Sequence, residues 1–249
     1  MRKPVYLDTK QLLNLRTVLG ICSVVILVFL SSLDTLIRLF PVTHLQPNDY
    51  HTTFLLEALN SDTLVSFIPI VSALPCSANY IDDIKNKFVR FCLIRSSYRS
   101  YLIGCVWMCF LSGGVVIIIG ILLSWGMSAL LLMPMETVVV VPSNATTVFC
   151  EKCILLFLNG GFWAVIGLTM STVMESKYIA YVSPFIVYYL LVILCERYFP
   201  DAWLLYPKNW IRSEIWPGGS LSAAFFILEL LTLCGLGFYF RGKRRLESL

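Results

Sequence analysis

The side chains that could do chemistry are few in this sequence, and its charges are densest in one stretch. Between Ala78 and Tyr101 two acids precede five bases, and both flanks are strongly apolar. The charged residues are Asp82, Asp83, Lys85, Lys87, Arg90, Arg95 and Arg99. On a helix, Ile84, Phe88 and Phe91 would share one face with Cys92, while the bases point away. The pattern predicts a short amphipathic helix on the cytoplasmic side, where basic residues between membrane spans are expected in any case.

Metal-binding and nucleophilic patterns are weak. His44 and His51 do not form an H-E-x-x-H motif, and we expect ordinary loop histidines. Cys150-x-x-Cys153 has metal or redox spacing, but no second pair accompanies it, and the other cysteines lie mainly in apolar runs. The sequence contains no G-x-S-x-G and no phosphate-binding G-x-x-x-x-G-K-[ST]. We therefore expect neither a metal, nor a bound cofactor, nor catalysis in this chain.

The composition predicts an integral membrane protein. Of the 249 residues, 58% are hydrophobic and only 14% are charged, and the mean hydropathy is +0.79. Such a chain cannot cover its apolar surface with polar groups in water, so the lipid bilayer must be its solvent. The net charge of +4 reflects basic cytoplasmic edges and is no sign of nucleic-acid binding.

The hydrophobic runs predict an all-α protein with six transmembrane helices in one domain. The spans lie at about 17–40, 63–80, 101–125, 150–173, 179–195 and 220–240. Residues 1–16 are expected to form an amphipathic interfacial helix, and 41–62 and 126–149 to lie outside. The aromatic segment 196–219 is expected along the outer interface, because Trp and Tyr favour the headgroup level. Fourteen of the 19 Lys and Arg residues then lie inside, which places both termini in the cytoplasm.

Three polar residues within or near the spans are candidates for a translocation path: Asp34, Asn159 and Glu229. Asp34 is one helical turn from Arg38, so the two form either an interfacial ion pair or a charged rim. Glu229 lies midway along the sixth span, where an acid costs about 2.5–3.5 kcal/mol. It either faces lipid, or faces the interior, where Asn159, Tyr188, Tyr189 or a cargo could hydrogen-bond it.

The charged stretch also carries a family resemblance. The run DDIKNKFVRFCLIRSSYRSYLIG resembles the segment between the second and third spans of bacterial ABC-type exporters of the type-2 permease family. Many members have an acidic-basic D-I-K-x-x-F-x-R, then L-I-R-[ST]-S and a basic-aromatic entry into the next span. The six-span layout and the aromatic segment after the fifth span are similar to that family along nearly the whole chain.

The resemblance implies a function and partners. The segment 81–100 would be a coupling helix that docks on a separate cytoplasmic ABC ATPase, which binds the ATP and Mg. A second permease subunit, identical or not, would complete the path through the plasma membrane of a bacterial cell. The residues expected to couple to the ATPase are Asp82, Asp83, Ile84, Lys87, Phe88, Arg90, Phe91 and Arg95. Drugs, lipids and antimicrobial peptides are candidate cargoes.

Two other classes of protein remain open at this stage. A membrane immunity or sensor protein that transports nothing could use the same basic segment for regulatory docking. A third possibility is an intramembrane enzyme. Copurification of an ATPase distinguishes the exporter from both.

Overall fold

The computed structural model of the chain describes residues 14–39, 49–89, 92, 97–136, 144–212 and 215–247. Within these ranges the chain is helical and has no β-strand. The helices are α1 (Leu15–Ser31), α2 (Leu33–Leu39), α3 (Tyr50–Leu59), α4 (Asp62–Ala73), α5 (Asn79–Lys85), α6 (Tyr98–Leu132), α7 (Ala145–Met174), α8 (Lys177–Arg197) and α9 (Gly219–Glu247). Three short 3-10 helices span Met133–Met135, Trp203–Leu205 and Pro207–Ile211. The predicted N-terminal interfacial helix falls almost wholly outside the described residues.

Four helices, α6 to α9, are long and apolar enough to cross a membrane. The pair α3–α4 also meets this requirement when taken together, but it bends by 71° at its break. The apolar helix α1 has 17 residues, which is about 25 Å and slightly short of the hydrocarbon core. The all-helical architecture is confirmed, and four or five candidate membrane spans lie among the described residues.

The first predicted span is interrupted. Helix α1 ends at Ser31 instead of continuing to residue 40, and α2 begins at Leu33. The hydroxyls of Ser31 and Ser32 both donate hydrogen bonds to the carbonyl of Val28, at 2.8 and 2.9 Å. Paired serines that bond back to the preceding turn compete with the helical ladder and promote a bend.

The boundaries around the second predicted span also need correction. Helix α3 comprises Tyr50–Leu59, residues that are expected in an external loop. Ser61 then caps α4 by accepting a hydrogen bond from the amide of Leu64 at 3.3 Å. Helix α4 ends at Ala73, before the expected residue 80, because Pro75 has no backbone N–H with which to continue the helical hydrogen bonds.

Helix α6 is longer than expected. It has 35 residues and continues past Trp125 to Leu132, where a 3-10 turn containing Pro134 follows. The helix of the third predicted span therefore extends beyond its expected end at residue 125. The run Gly126–Leu132 is rich in helix-forming Leu and Ala, and its single Gly is not sufficient to end a helix.

Small residues bring α6 and α7 into close contact. A Cβ added to Gly113 would lie 2.6 Å from the Cβ of Ala164 and 2.8 Å from the carbonyl oxygen of Gly160. Two turns further along α6, a Cβ at Gly120 would lie 2.5 Å from the side chain of Val24 in α1. These glycines therefore allow α6 to approach its neighbouring helices closely.

The segment between α8 and α9 contributes to the core. Trp210 is buried and stacks on Trp163 of α7, with ring centroids 5.8 Å apart. Trp163 also makes an edge contact with Tyr188 of α8, and the Trp210 indole donates a hydrogen bond to the carbonyl of Leu204 at 2.8 Å. Two of the expected interfacial tryptophans, Trp210 and Trp216, are therefore packed inside the bundle.

The helices alternate between two ends of the bundle. At one end, Tyr80 contacts Phe238 with ring centroids 5.0 Å apart, and Arg245 forms an ion pair with Glu175 at 3.2 Å. This basic end therefore comprises α5, the start of α6, the α7–α8 turn and the end of α9. At the opposite end, Lys208 and Arg212 lie 3.5 and 3.6 Å from the carboxylate of Asp62.

Candidate functional site

The charged stretch begins with α5, which is anchored in the basic end of the bundle. Tyr80 and Ile81 are buried, and the hydroxyl of Tyr101 at the start of α6 donates a hydrogen bond to Asp83 at 3.3 Å. Val89 and Cys92 are also buried and belong to the same apolar cluster. The stretch is thus attached to α6 and α9 through packed side chains.

The predicted amphipathic helix is shorter than expected, and its exposed face differs. Helix α5 ends at Lys85, and Lys87 has a left-handed backbone with φ of 58°. After this break Phe88 is 49% exposed, whereas Ile84 packs partly against the buried cluster. The expectation that Ile84 and Phe88 share one face of a continuous helix is therefore wrong. Lys85 and Lys87 are exposed beside Phe88.

The other predicted coupling residues divide into two groups. Asp82 and Asp83 are both partly buried in α5. Arg90, Phe91 and Arg95 lie outside the described residues, so their placement stays a prediction. Asp83 contacts the helix bundle and Phe88 lies at the surface. The charged stretch therefore has one side that attaches it to the bundle and another that a partner can reach.

Asp83 makes the basic end sensitive to pH. Burial raises the pKa of the Asp83 carboxyl above its ordinary value, nearby Asp82 adds to this, and the hydrogen bond from Tyr101 opposes it. The folded protein therefore binds the Asp83 proton more tightly than the unfolded chain does. The protonated carboxyl contributes its full stabilisation to the folded state below about pH 4, and this contribution is lost as pH rises through the raised pKa.

We predict that Asp83→Asn raises the unfolding temperature relative to the parent at pH 7.5, and that this advantage shrinks at pH 4.5. Thermal unfolding in detergent at both pH values measures it. Tyr101→Phe removes the hydrogen bond that favours the charged form, so it should make the dependence on pH steeper. An Asn variant whose difference from the parent does not change with pH contradicts the assignment.

Glu229 lies on the outward face of α9. Its side chain is exposed, and its neighbours one turn away on either side, Phe225 and Leu233, are 66% and 64% exposed. Its backbone carbonyl accepts a hydrogen bond from Thr232 at 2.8 Å, but its carboxylate has no hydrogen-bond or ion-pair partner within the described part of the chain. The interior arrangement with Tyr188 or Tyr189 is therefore not the one that the chain adopts.

The three predicted path residues do not surround one cavity. Asn159 is buried in α7, and its side-chain oxygen has no hydrogen-bond partner among the described residues. Asp34 is exposed in α2, as is Arg38 one turn later. Because Asp34 and Glu229 face outward while Asn159 is inside, a path containing all three cannot lie within a single chain.

Two polar pairs at the opposite end were missed from the sequence. His51 is buried: its Nδ1 lies 2.8 Å from Glu136 Oε1, and the same oxygen accepts the His51 backbone N–H at 2.8 Å. The buried ammonium of Lys152 donates a hydrogen bond to the side chain of Asn60. The interpretation of His51 as an ordinary loop histidine is wrong. Partners 85 and 92 residues apart leave no local pattern that could have revealed either pair.

The cysteines do not form a metal site. Cys150 is exposed and Cys153 is partly buried, and both are free thiols. Nowhere in the described ranges do three or more His, Cys, Asp or Glu side chains come together as metal ligands would.

Comparison with known proteins adds no relative: no family model, no curated protein and no solved structure matches this chain.

Proposed function

We propose that this chain is the permease subunit of an ATP-driven exporter of the type-2 permease family, in a bacterial plasma membrane. The observation that carries the proposal is the arrangement of the charged stretch. Phe88, Lys85 and Lys87 are exposed, while Tyr80, Val89 and Cys92 on either side of them are buried against α6 and α9. An exposed aromatic beside cations suits a protein partner, and the buried residues can pass its motion to the helices.

In this proposal the chain crosses the membrane six times. Helices α1 and α4 provide the first two crossings and α6 to α9 the other four, with the basic end in the cytoplasm. Val24 of α1 and Ile68 of α4 pack in the same core as Trp163 of α7, which supports placing all six side by side. Short helices such as α4 are tolerated where neighbouring protein covers their ends.

The cargo path would lie between two permease subunits. Inside the single chain, the described core is close-packed around Trp163, Phe162 and Ile117. Its buried polar side chains are serines and threonines together with His51, Lys152, Asn159 and Asn209. The outward position of Glu229 agrees with a path completed by a second subunit. ATP binding and hydrolysis on the separate ATPase would drive the conformational change.

Purification in mild detergent tests the proposal. We expect an ABC ATPase to copurify with the parent chain, and the double variant Phe88→Ala, Arg90→Ala to retain less than about a tenth of it, since hot-spot residues contribute 2 kcal/mol or more. Phe199→Ala is the matched control, because Phe199 is 61% exposed but belongs to the segment after α8, away from the basic end.

Two outcomes would refute the proposal. If no ATPase accompanies the parent chain, the alternative of an immunity or sensor protein is favoured. If the ATPase binds the double variant as well as it binds the parent, the charged stretch is not its docking site.

A further inference from the structure

One cavity in the described structure opens on the outward-facing side of α6 and α9. It has a volume of about 360 Å³ and is almost wholly apolar. Its walls include Ile103, Val106 and Trp107 from α6 and Thr232, Leu236 and Tyr239 from α9. Gly235 keeps the space open: a Cβ added there would have only Val106 nearby, at 3.6 Å. We call this cavity the α6–α9 groove.

The groove lies at the depth of one leaflet. Its wall on α6 runs from residue 102 to residue 107, and the helix begins at Tyr98 at the basic end. At 1.5 Å per residue, the deep end at Trp107 is about 13 Å from the start of the helix. Half of a typical hydrocarbon core is about 15 Å, so the groove lies within the leaflet on the basic side.

Cations stand at the mouth of the groove. The guanidinium of Arg99 is fully exposed; its Nε donates a hydrogen bond to the Tyr98 hydroxyl at 3.2 Å, and it also interacts with the hydroxyl of Tyr239, which lines the groove. Arg241 is exposed and Lys243 partly buried, within the next turn of α9. An apolar slot of acyl-chain depth with a positive charge at its headgroup end is complementary to an anionic amphiphile.

We propose that the α6–α9 groove binds an anionic phospholipid from the leaflet on the basic side. One acyl chain occupies the slot beside Trp107 and Gly235, and the phosphate lies at Arg99. This site requires only that the chain is embedded in a membrane, so it does not depend on the exporter function. A zwitterionic lipid fills the same slot but binds more weakly, because its headgroup carries no net charge to attract Arg99.

The test uses Trp107 as a reporter. The full chain is reconstituted into vesicles of phosphatidylcholine that contain either dibrominated phosphatidylglycerol or dibrominated phosphatidylcholine, and quenching is measured. The contribution of Trp107 is the difference between the parent and Trp107→Phe. We expect the anionic lipid to be preferred about fivefold, the factor for one cation near a membrane surface.

Three variants separate the site from general attraction to a basic protein. Arg99→Gln should remove the preference while quenching persists. Gly235→Leu fills the slot and should abolish Trp107 quenching by both lipids, with every charge retained. Gly237→Leu is the matched control, because nothing lies within 4 Å of a Cβ there, and it should behave like the parent.

Other results overturn the proposal. Equal quenching of Trp107 by the two lipids in the parent shows an ordinary lipid-facing surface without headgroup selection. A Trp107 that neither lipid quenches shows that another protein surface, such as a second copy of the chain, covers the groove. A preference that survives both Arg99→Gln and Gly235→Leu places lipid selection elsewhere on the protein.

Discussion

Gly113→Ala is expected to destabilise the bundle more than any other glycine-to-alanine change in α6. The added Cβ would lie 2.6 Å from the Ala164 Cβ, 2.8 Å from the Gly160 carbonyl oxygen and 3.0 Å from the Ser72 carbonyl oxygen. Two of these three atoms are backbone atoms of other helices, so no rotamer change relieves the contact. Either α7 or α4 must move away from α6.

The size of the effect follows from overpacking. Inserting extra methyl groups into a packed core costs about 1–3 kcal/mol, which corresponds to a fall in unfolding temperature of roughly 2–12 °C for a chain of this length. Thermal unfolding in detergent, followed by fluorescence or by aggregation, measures it. The unfolding temperature of Gly113→Val should be lower still, because the branched valine side chain has less freedom to avoid the two carbonyl oxygens.

Gly126→Ala is the control within the same helix. Nothing lies within 4 Å of a Cβ at this position, and alanine has the higher helix propensity. We therefore expect an unfolding temperature equal to or above that of the parent. If Gly113→Ala unfolds at the temperature of Gly126→Ala, α6, α7 and α4 do not approach one another as closely as described.

Composition and periodicity were sufficient to predict the class of this protein and most of its long helices. Helices α6 to α9 include the predicted third to sixth spans and extend a few residues beyond them. The spans were predictable because a bilayer requires long apolar runs with internal hydrogen bonds. Within such runs, small residues favour close helix packing, and Gly113 and Gly160 lie at a close contact between α6 and α7.

The short elements could not be predicted in this way. Helix α3 has only 10 residues and mixed polarity, and its burial depends on pairing between His51 and a glutamate 85 residues away. The outward orientation of Glu229 could not be predicted either, because apart from Thr232 its neighbours are apolar on all sides of the helix. In a membrane span, hydrophobicity does not distinguish the face toward lipid from the face toward protein.

The candidate coupling site shows both the use and the limit of a local pattern. Charge density identified the stretch around α5, but the left-handed backbone at Lys87 depends on how α5 meets the bundle. Tertiary packing buries Val89 and Cys92 and leaves Phe88 exposed, whereas a continuous helix would have buried Phe88 and Ile84 together.

Glu229→Gln is expected to abolish export while the protein accumulates in the membrane at the level of the parent. A hydrogen bond within the chain is not what holds the Glu229 carboxylate, since the side chain is exposed and has no partner among the described residues. An acid at the centre of a span costs about 2.5–3.5 kcal/mol on insertion scales. The compensating contact must then come from outside this chain, which in the proposed exporter is the second subunit or the cargo.

The insertion cost can be measured separately from the function. In a translocon insertion assay of the isolated α9 segment, Glu229→Leu should favour insertion by roughly 3–4 kcal/mol. The reason is that an acid, which opposes insertion, is replaced by leucine, whose apparent free energy of insertion at the helix centre is about −0.5 kcal/mol. The Gln variant carries no charge, so failure to insert cannot explain a loss of export. Glu57→Gln provides the same chemical change at an exposed position in α3 and should leave export intact.

Export is scored by complementation of cells that lack the chain, over a range of external pH, with the amount of protein in the membrane measured in parallel. A hydrogen bond to a charged group contributes about 1.5–3 kcal/mol, so losing it lowers the population of the competent complex by roughly tenfold to a hundredfold. A Gln variant that complements as well as the parent at every pH, while Glu229→Leu fails, would show that Glu229 acts as a neutral hydrogen-bonding group. Complementation by both variants would remove Glu229 from the cargo path and leave the outward face of α9 to lipid.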